Sequence, residues 1–271
     1  MDLQLSGKTA LVTGSSRGTG EGIAKVLARE GATVIVHGMK PASGQDDAGR
    51  VASEINHAGG KAHAVTGDLT TDAGAEHTAK AALALGPVDI LINNYGTADR
   101  GFWLDAATGT QAWIDAYQKN VLSAARMIRL LVPQMKARGW GRVIQLGTIG
   151  STQPNARMPH YYASKGALAN LTVSLMLELA NTGITVNTIS PGLIKTREVE
   201  EMYRRRAQKM GWGDDWDVIE RHIMEEFGNP SGRIARTEEV GDLVAFIAST
   251  RAHMINGMNI RIDGGGMRIV N

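Results

Sequence analysis

Short apolar runs rich in β-branched residues alternate along this chain of 271 residues with longer stretches whose apolar positions recur every three to four residues. The runs at 8–13, 33–37, 62–66, 88–92, 142–146, 185–189 and 257–262 predict strands, since continuous apolar character over so few residues fits a strand buried on both faces. The intervening periodic stretches predict helices: one built on Ile23 to Leu27, then 42–57, 73–85, a long helix over 113–138 interrupted near Pro133, and 161–180. Strand and helix in strict alternation imply a parallel sheet with right-handed crossovers. The predicted fold is α/β, a doubly wound parallel sheet (Rossmann-like) in three α/β/α layers, with ligands beyond the carboxyl ends of the strands. No linker or composition shift divides the chain, so a single domain over 1–271 is expected.

Composition narrows the function classes. With no cysteine, neither disulfides nor thiolate zinc sites are available, and no His/Asp/Glu cluster has metal-ligand spacing, so no metal is expected. The net charge is +2, with Lys and Arg scattered among acids, which argues against a nucleic-acid partner. No apolar run reaches the length of a membrane span and no secretory signal is seen, so a cytoplasmic protein is expected.

Two constellations carry chemistry. The first strand ends in Thr13-Gly14-Ser15-Ser16-Arg17-Gly18-Thr19-Gly20 and leads into a helix. Glycines let a backbone approach a pyrophosphate, and a helix N-terminus supplies unpaired N–H groups and a positive dipole end. The strict G-x-G-x-x-G spacing fails, because counting from Gly18 puts Ile23 where the third glycine belongs. The second constellation is Tyr161-Tyr162-Ala163-Ser164-Lys165. On a helix, Tyr161 and Lys165 stand one turn apart on one face. A cation beside a phenol lowers its pKa toward the working range, which makes Tyr161 a proton donor or acceptor. Tyr162, three residues before Lys165, reads as a packing residue.

These residues resemble the short-chain dehydrogenase/reductase superfamily in its compact form, including 3-oxoacyl-[acyl-carrier-protein] reductase-like members, from Leu5 to Gly265. Further motifs follow in the family's order: Asp68-Leu69, Asn93-Asn94-Tyr95-Gly96 with Tyr95 in place of alanine, Lys119-Asn120-Val121, Pro191-Gly192 with Thr196, and Asp263-Gly264-Gly265. The resemblance implies catalysis by Asn120, Thr148, Tyr161 and Lys165. Tyr161 would exchange the proton, Thr148 orient the substrate oxygen, Lys165 lower the tyrosine pKa and bind the nicotinamide ribose, and Asn120 hold a water. Thr148 stands where the family has serine. It keeps the hydroxyl and adds a methyl that restricts its approach, with Ser151 nearby as a less well placed substitute. The resemblance also implies a dinucleotide held by Gly14, Ser16, Arg17, Gly18, Thr19, Gly20, Asp68, Leu69, Asn94, Gly96, Tyr161, Lys165, Pro191, Gly192, Ile194 and Thr196. A homo-oligomer, tetrameric in the family, is implied in the same way.

The second strand runs into His37-Gly38-Met39-Lys40, with no carboxylate between Glu30 and Asp46. Gly38 takes the place of the acid that holds the ribose hydroxyls of NAD, while Arg17 and Lys40 suit a 2′-phosphate, so NADP(H) is favoured over NAD(H). The alternative is that Lys40 is a solvated loop residue and His37 a half-buried strand residue. Substrate information is expected in 196–232, where Asp215 suits an N-cap and Trp216, Ile219, Ile223 and Phe227 share one helix face. That face either lids an apolar pocket with Trp212, Met202 and Met210 or packs on the body. Arg204-Arg205-Arg206 either attracts an acidic substrate or acyl carrier or is a solvated face. His160 and Trp103 are weaker candidates for substrate contact.

Three functions are consistent with these residues. The leading one is an NADP(H)-dependent reductase of a 3-oxoacyl-type ketone, a small-molecule carbonyl or alcohol being its partner. The others are an NAD-dependent dehydrogenase of a sugar, polyol or cyclic alcohol, and a non-catalytic dinucleotide sensor, which only Thr148 encourages.

Overall fold

Strands apolar on both faces need helices on both sides, and the computed structural model has that layered form over the residues it describes, 1–41 and 47–270. Strand β1 (Thr9–Val12) is followed by α1 (Gly18–Arg29), β2 (Thr33–Gly38), α2 (Ala48–His57), β3 (Lys61–Thr66), α3 (Asp72–Ala84) and β4 (Ile90–Asn93). The chain continues through α4 (Thr110–Tyr117), α5 (Ser123–Arg138), β5 (Gly141–Leu146), α6 (Pro159–Glu178) and β6 (Ile184–Pro191). A short β7 (Ile194–Lys195) precedes α7 (Arg197–Met210), α8 (Trp216–Phe227), β8 (Ala235–Arg236), α9 (Thr237–Ala248) and β9 (Asn259–Ile262). Seven strands pair in the order β3-β2-β1-β4-β5-β6-β9, all parallel, while β7 and β8 form a separate two-stranded parallel sheet.

Alternation along each strand divides the core in two. Val12, Val34, Val36, Ile90 and Ile92 face Ile23, Leu27, Val51 and Val244 of α1, α2 and α9. Leu11, Ile35, Leu91, Val143 and Val186 face Ala75 of α3 and Met127 and Leu131 of α5. The expected doubly wound sheet is therefore present, and its strand order reverses between β1 and β4. That switch opens the crevice in which such sheets hold ligands.

The helix expected over 113–138 is broken elsewhere than at Pro133. Helix α5 runs through Pro133, and the irregularity is a π-helical turn at Gln118–Leu122 that contains Asn120. Proline removes one helical N–H bond, but Met127, Leu131, Val132 and Met135 are buried along the same face and hold the helix in place. Helix α2 begins at Ala48, with Asp47 accepting from the Gly49 N–H at 2.8 Å. The earlier part of that predicted helix, 42–46, lies outside the described residues. Helix α6 starts at Pro159, where a missing N–H costs nothing.

Helix α8 has the expected cap, Asp215 accepting from the Asp217 N–H at 2.9 Å. Its stripe resolves toward packing: Ile219, Ile223 and Met224 are buried against Tyr203 and Ala207 of α7 and against Ile234. Trp212 stacks on His222 at 4.6 Å, and Met210 is exposed. Among the described residues no helix is long and apolar enough to cross a membrane.

Arg142, at the start of β5, is fully buried. It has no carboxylate partner among the described residues. Its guanidinium donates to the carbonyls of Gly141 (2.8 Å), Gly183 (3.3 Å) and Ser249 (3.3 Å) and lies over the Trp140 ring at 4.5 Å. Burial lowers its pKa to about 10, so it stays charged at neutral pH. Arg142→Leu strands those carbonyls and is expected to lower unfolding free energy by roughly 2–4 kcal/mol, read as a shift in urea midpoint at unchanged slope.

Candidate active site

The glycine turn after β1 is tied to the loop after β4. The Thr13 hydroxyl accepts from the N–H groups of Asn94 and Tyr95, both at 3.0 Å, and the Asn94 amide donates to the carbonyls of Thr13 and Gly14, both at 2.9 Å. A Cβ on Gly20 would lie 2.4 Å from Asn94 Nδ2 and 2.5 Å from the Gly14 carbonyl oxygen, so no other residue fits there. Gly14 itself adopts a left-handed φ of 62°. The N-cap residue of α1, Arg17, makes no side-chain cap hydrogen bond, and the first-turn amides and dipole of the helix face the crevice.

His37 supports this turn from below. Its Nδ1 accepts the Gly14 N–H at 3.0 Å, while Nε2 lies 3.0 Å from the Gly67 carbonyl. That geometry assigns the proton to Nε2. Burial drives its pKa down to about 4, so the ring is neutral at physiological pH. The half-buried strand role expected for His37 is thus corrected: it is fully buried and braces the glycine turn.

Around the crevice stand Gly14, Arg17, Gly18, Thr19, Gly20, Asn94, Gly96, Pro191 and Ile194, with Tyr161 and Lys165. Thr196 caps α7 by accepting from the Val199 N–H at 3.3 Å, and its methyl would lie 3.7 Å from a Cβ on Gly18. Glu198, which sequence reasoning missed because it reads as an ordinary first-turn acid, reaches into this crevice, 3.5 Å from the Arg17 guanidinium. Other expected cofactor residues stand apart. Ser16, Gly38, Lys40, Asp68 and Leu69 lie past its lining, after β1, at and after the end of β2, and after β3. The Asp68 carboxylate accepts from the Thr70 amide (2.9 Å) and hydroxyl (2.6 Å), the Leu69 side chain is fully buried, and Lys40 is exposed at the β2 end. Gly192 faces the neighbouring cleft instead.

Tyr161 sits where the two clefts meet. Thr148 lines the same cleft as Tyr161, and its side chain acts to lower the phenol's pKa. Thr148 also accepts from the Gly150 N–H at 3.3 Å, while the Ser151 hydroxyl is committed to the Thr148 carbonyl at 2.7 Å. The structure thus brings Thr148, and not Ser151, to the tyrosine. Burial and the neighbouring Tyr162 push the Tyr161 pKa up to about 12 against the opposing effect of Thr148. The expected lowering of this pKa by Lys165 is not what the geometry gives. Lys165 Nζ donates instead to the Leu146 carbonyl at 2.7 Å, and burial lowers its own pKa to about 8.

Asn120 is buried in the π-helical turn, a deformation that recurs at functional sites. Its Oδ1 accepts from the Thr97 N–H at 3.0 Å, and Nδ2 donates to the Thr97 carbonyl and Ser164 hydroxyl, both at 3.1 Å. It therefore clamps the β4 loop to α6, and a water would have only the second Oδ1 lone pair. A Cβ on Gly96 would fall 2.3 Å from Asn120 Oδ1 and 3.2 Å from Lys165 Nζ.

Beside the crevice is an open cleft of about 1370 Å³, floored by Thr148, Tyr161 and Tyr162 and walled by Met202, Tyr203 and Phe227. Tyr162 also accepts from Asn155 at 3.0 Å, so it is a cleft residue as well as a packing one. The weaker candidates drop out: His160 is buried beside Trp113, and Trp103 packs on Trp113 with ring centroids 5.0 Å apart.

The chain belongs to the short-chain dehydrogenase family, whose family model matches residues 8–207. It is 35% identical over 264 residues to D-beta-hydroxybutyrate dehydrogenase of Cupriavidus necator, covering 96% of this chain and 98% of that one. Among solved structures it is similar to L-sorbose reductase from Gluconobacter frateurii complexed with NADPH and L-sorbose, with TM-score 0.91, 30% identity and all of both chains covered. It is also similar to a 3-oxoacyl (acyl-carrier-protein) reductase from Agrobacterium tumefaciens with NADP bound, with TM-score 0.84, 35% identity and 97% and 96% of the two chains covered. The protein is an oxidoreductase acting between CH–OH and carbonyl groups.

The brace under the glycine turn has a pH signature. The His37 pKa is about 4 in the fold against an ordinary 6.5, so the unfolded chain takes up the proton first as pH falls. Its contribution is present above about pH 6.5 and is lost progressively as pH falls to about 4, amounting to roughly 3 kcal/mol. Denaturant unfolding across that range should show this loss in the wild type and a clearly smaller one in His37→Asn.

Proposed function

We propose that this short-chain dehydrogenase is an NADP(H)-dependent oxidoreductase that interconverts a ketone and a secondary alcohol, reducing a 3-oxoacyl-type carbonyl compound. The observation that carries this reading is the placement of Thr148 and Tyr161 in one substrate-sized cleft, with Tyr161 and Lys165 also lining the adjoining dinucleotide crevice. It also removes the one feature that favoured a non-catalytic sensor.

The crevice fits a dinucleotide. Its cradle has no room for a Cβ at Gly20 and offers a helix N-terminus to the pyrophosphate. Gly38 and Lys40 at the end of β2 favour the 2′-phosphate of NADP, as do the two relatives whose structures hold NADPH and NADP. Bound there, the cofactor supplies the hydride.

The chain's own residues manage the proton. With a pKa of about 12, Tyr161 is protonated at neutral pH and stands ready to donate to an oxygen gaining negative charge. Thr148 shares that oxygen and fixes its direction. Lys165, with a pKa of about 8, is largely charged at neutral pH and is anchored by the Leu146 carbonyl at the crevice wall, where it meets the ribose. Asn120 holds the loop carrying Gly96 against both. A sugar or polyol substrate is the second reading, favoured by full-length similarity to L-sorbose reductase. Exposed Ile114, Tyr117, Leu122, Val173 and Leu177 on α4, the π turn and α6 support a homo-oligomer, a tetramer by family resemblance.

Fluorescence titration should show tighter binding of NADPH than of NADH, and equal or reversed affinities would refute the cofactor assignment. With a ketone substrate, Tyr161→Phe should lower kcat by roughly 10²–10⁴-fold. Thr148→Ala should lower it by roughly 10²–10³-fold while Thr148→Ser retains most activity. Full activity in Tyr161→Phe would refute the mechanism.

A further inference from the structure

The large cleft has a rim of unusual charge. Arg100 comes from the loop after β4, Arg157 from the loop before α6, and Arg205 and Lys209 from α7, yet all line the same cleft over Tyr161. Arg205 and Lys209 share one face of α7, but Arg100 and Arg157 come from separate loops, so the rim is more than one charged helix face. The rim meets α7 where the Arg100 guanidinium donates to Met202 Sδ at 2.8 Å.

Glu226, the one acid among the described residues that line this cleft, is already neutralised, since its carboxylate takes a forked contact from Arg206, one arm at 2.8 Å. No carboxylate among the described residues makes an ion pair with Arg100, Arg157, Arg205 or Lys209. Elsewhere on the surface cations commonly face acids, as in Lys25 and Arg50 with Glu21 and Glu54, Arg29 with Asp242, and Arg233 with Glu239. Arg204 illustrates the contrast within a single run. It turns away from the cleft to Glu200, at 2.7 Å, and stacks over Trp216. Four unpaired cations gathered over one floor repel one another and raise the local positive potential, and an anion relieves that repulsion. Between rim and floor lie Phe102 and Met202, which suit a short carbon segment.

We infer that the substrate itself carries an anionic group, a carboxylate or a phosphate, at the end remote from the reacting carbonyl, and that Arg157 and Arg205 with Arg100 and Lys209 receive it. This rests on the reductase reading of the same cleft. Guanidinium groups suit this task because their planar forks match carboxylate and phosphate oxygens. The rim stands over Tyr161 on the cleft floor, which places the anion on the reacting small molecule.

The test compares neutral and charged ketones that are otherwise alike: acetoacetate and levulinate against their methyl esters, and dihydroxyacetone phosphate against dihydroxyacetone. Wild type should prefer the charged member of at least one pair by roughly tenfold in kcat/KM, about 1.4 kcal/mol, with the preference falling as salt rises. The first two pairs report a carboxylate and the third a phosphate. Arg157→Ala with Arg205→Ala should erase most of that preference, chiefly through KM for the anion, while Arg204→Ala leaves it in place. Turnover indifferent to charge, or a preference untouched by the double variant, overturns the inference, as does activity that depends on an acidic carrier protein. Calorimetric binding of the same anions to Tyr161→Phe loaded with NADPH separates the two levels. Anion binding lost in the double variant, with no turnover of any ketone by wild type, would sink the reductase reading and keep the anion site. No anion binding would sink the site alone.

Discussion

The closeness of β1 and β4 at their carboxyl ends is the constraint on which the rest of this molecule depends. Parallel strands leave their last N–H and carbonyl groups unpaired where the sheet order reverses. Here the Thr13 hydroxyl and the Asn94 amide satisfy them across the gap, at 2.9–3.0 Å. The bonds leave so little room that Gly20 has no space for a side chain. They also aim the start of α1 at the crevice and set the β4 loop within reach of Asn120. The crevice and the proposed catalytic residues are therefore tied to one backbone junction, with His37 as its floor.

Burial, more than pairing, sets the electrostatics of the site. Tyr161 and Lys165 lose solvent together, and each is moved toward its neutral form, the phenol upward and the amine downward. A protonated phenol suits donation to a developing alkoxide. The lysine charge, fixed on a backbone carbonyl and not on the phenol, serves the crevice wall instead. Charge on the substrate side follows another rule, because the cations there are solvent-facing.

Helices α7 and α8 show how the same apolar stripe can serve packing and a site at once. Ile219 and Ile223 join the two helices into a small core of their own, which frees Met202, Tyr203 and Phe227 to form a wall of the cleft. The helices hang between β6 and β9 as an insertion outside the seven-stranded sheet. In the proposed reading, substrate choice is set there, apart from the nucleotide end.

Sequence alone determined the strands, most helices, the parallel sheet and the glycine turn, because each is written in local periodicity and local backbone needs. It also offered Tyr161 and Lys165 through their spacing on one helix, and Thr148 through family resemblance. It misplaced the break in the long helix, since Pro133 is a local signal while the π turn at Asn120 answers to bonds with Thr97 and Ser164 far along the chain. Only tertiary structure decided that His37 braces the glycine turn, that Lys165 bonds to Leu146, and that Ile219 and Ile223 face α7. Only the fold could gather Arg100, Arg157 and Arg205 onto one cleft while turning Arg204 away, because the distance between charges in space is set by how loops and helices pack, and no spacing along the chain encodes it.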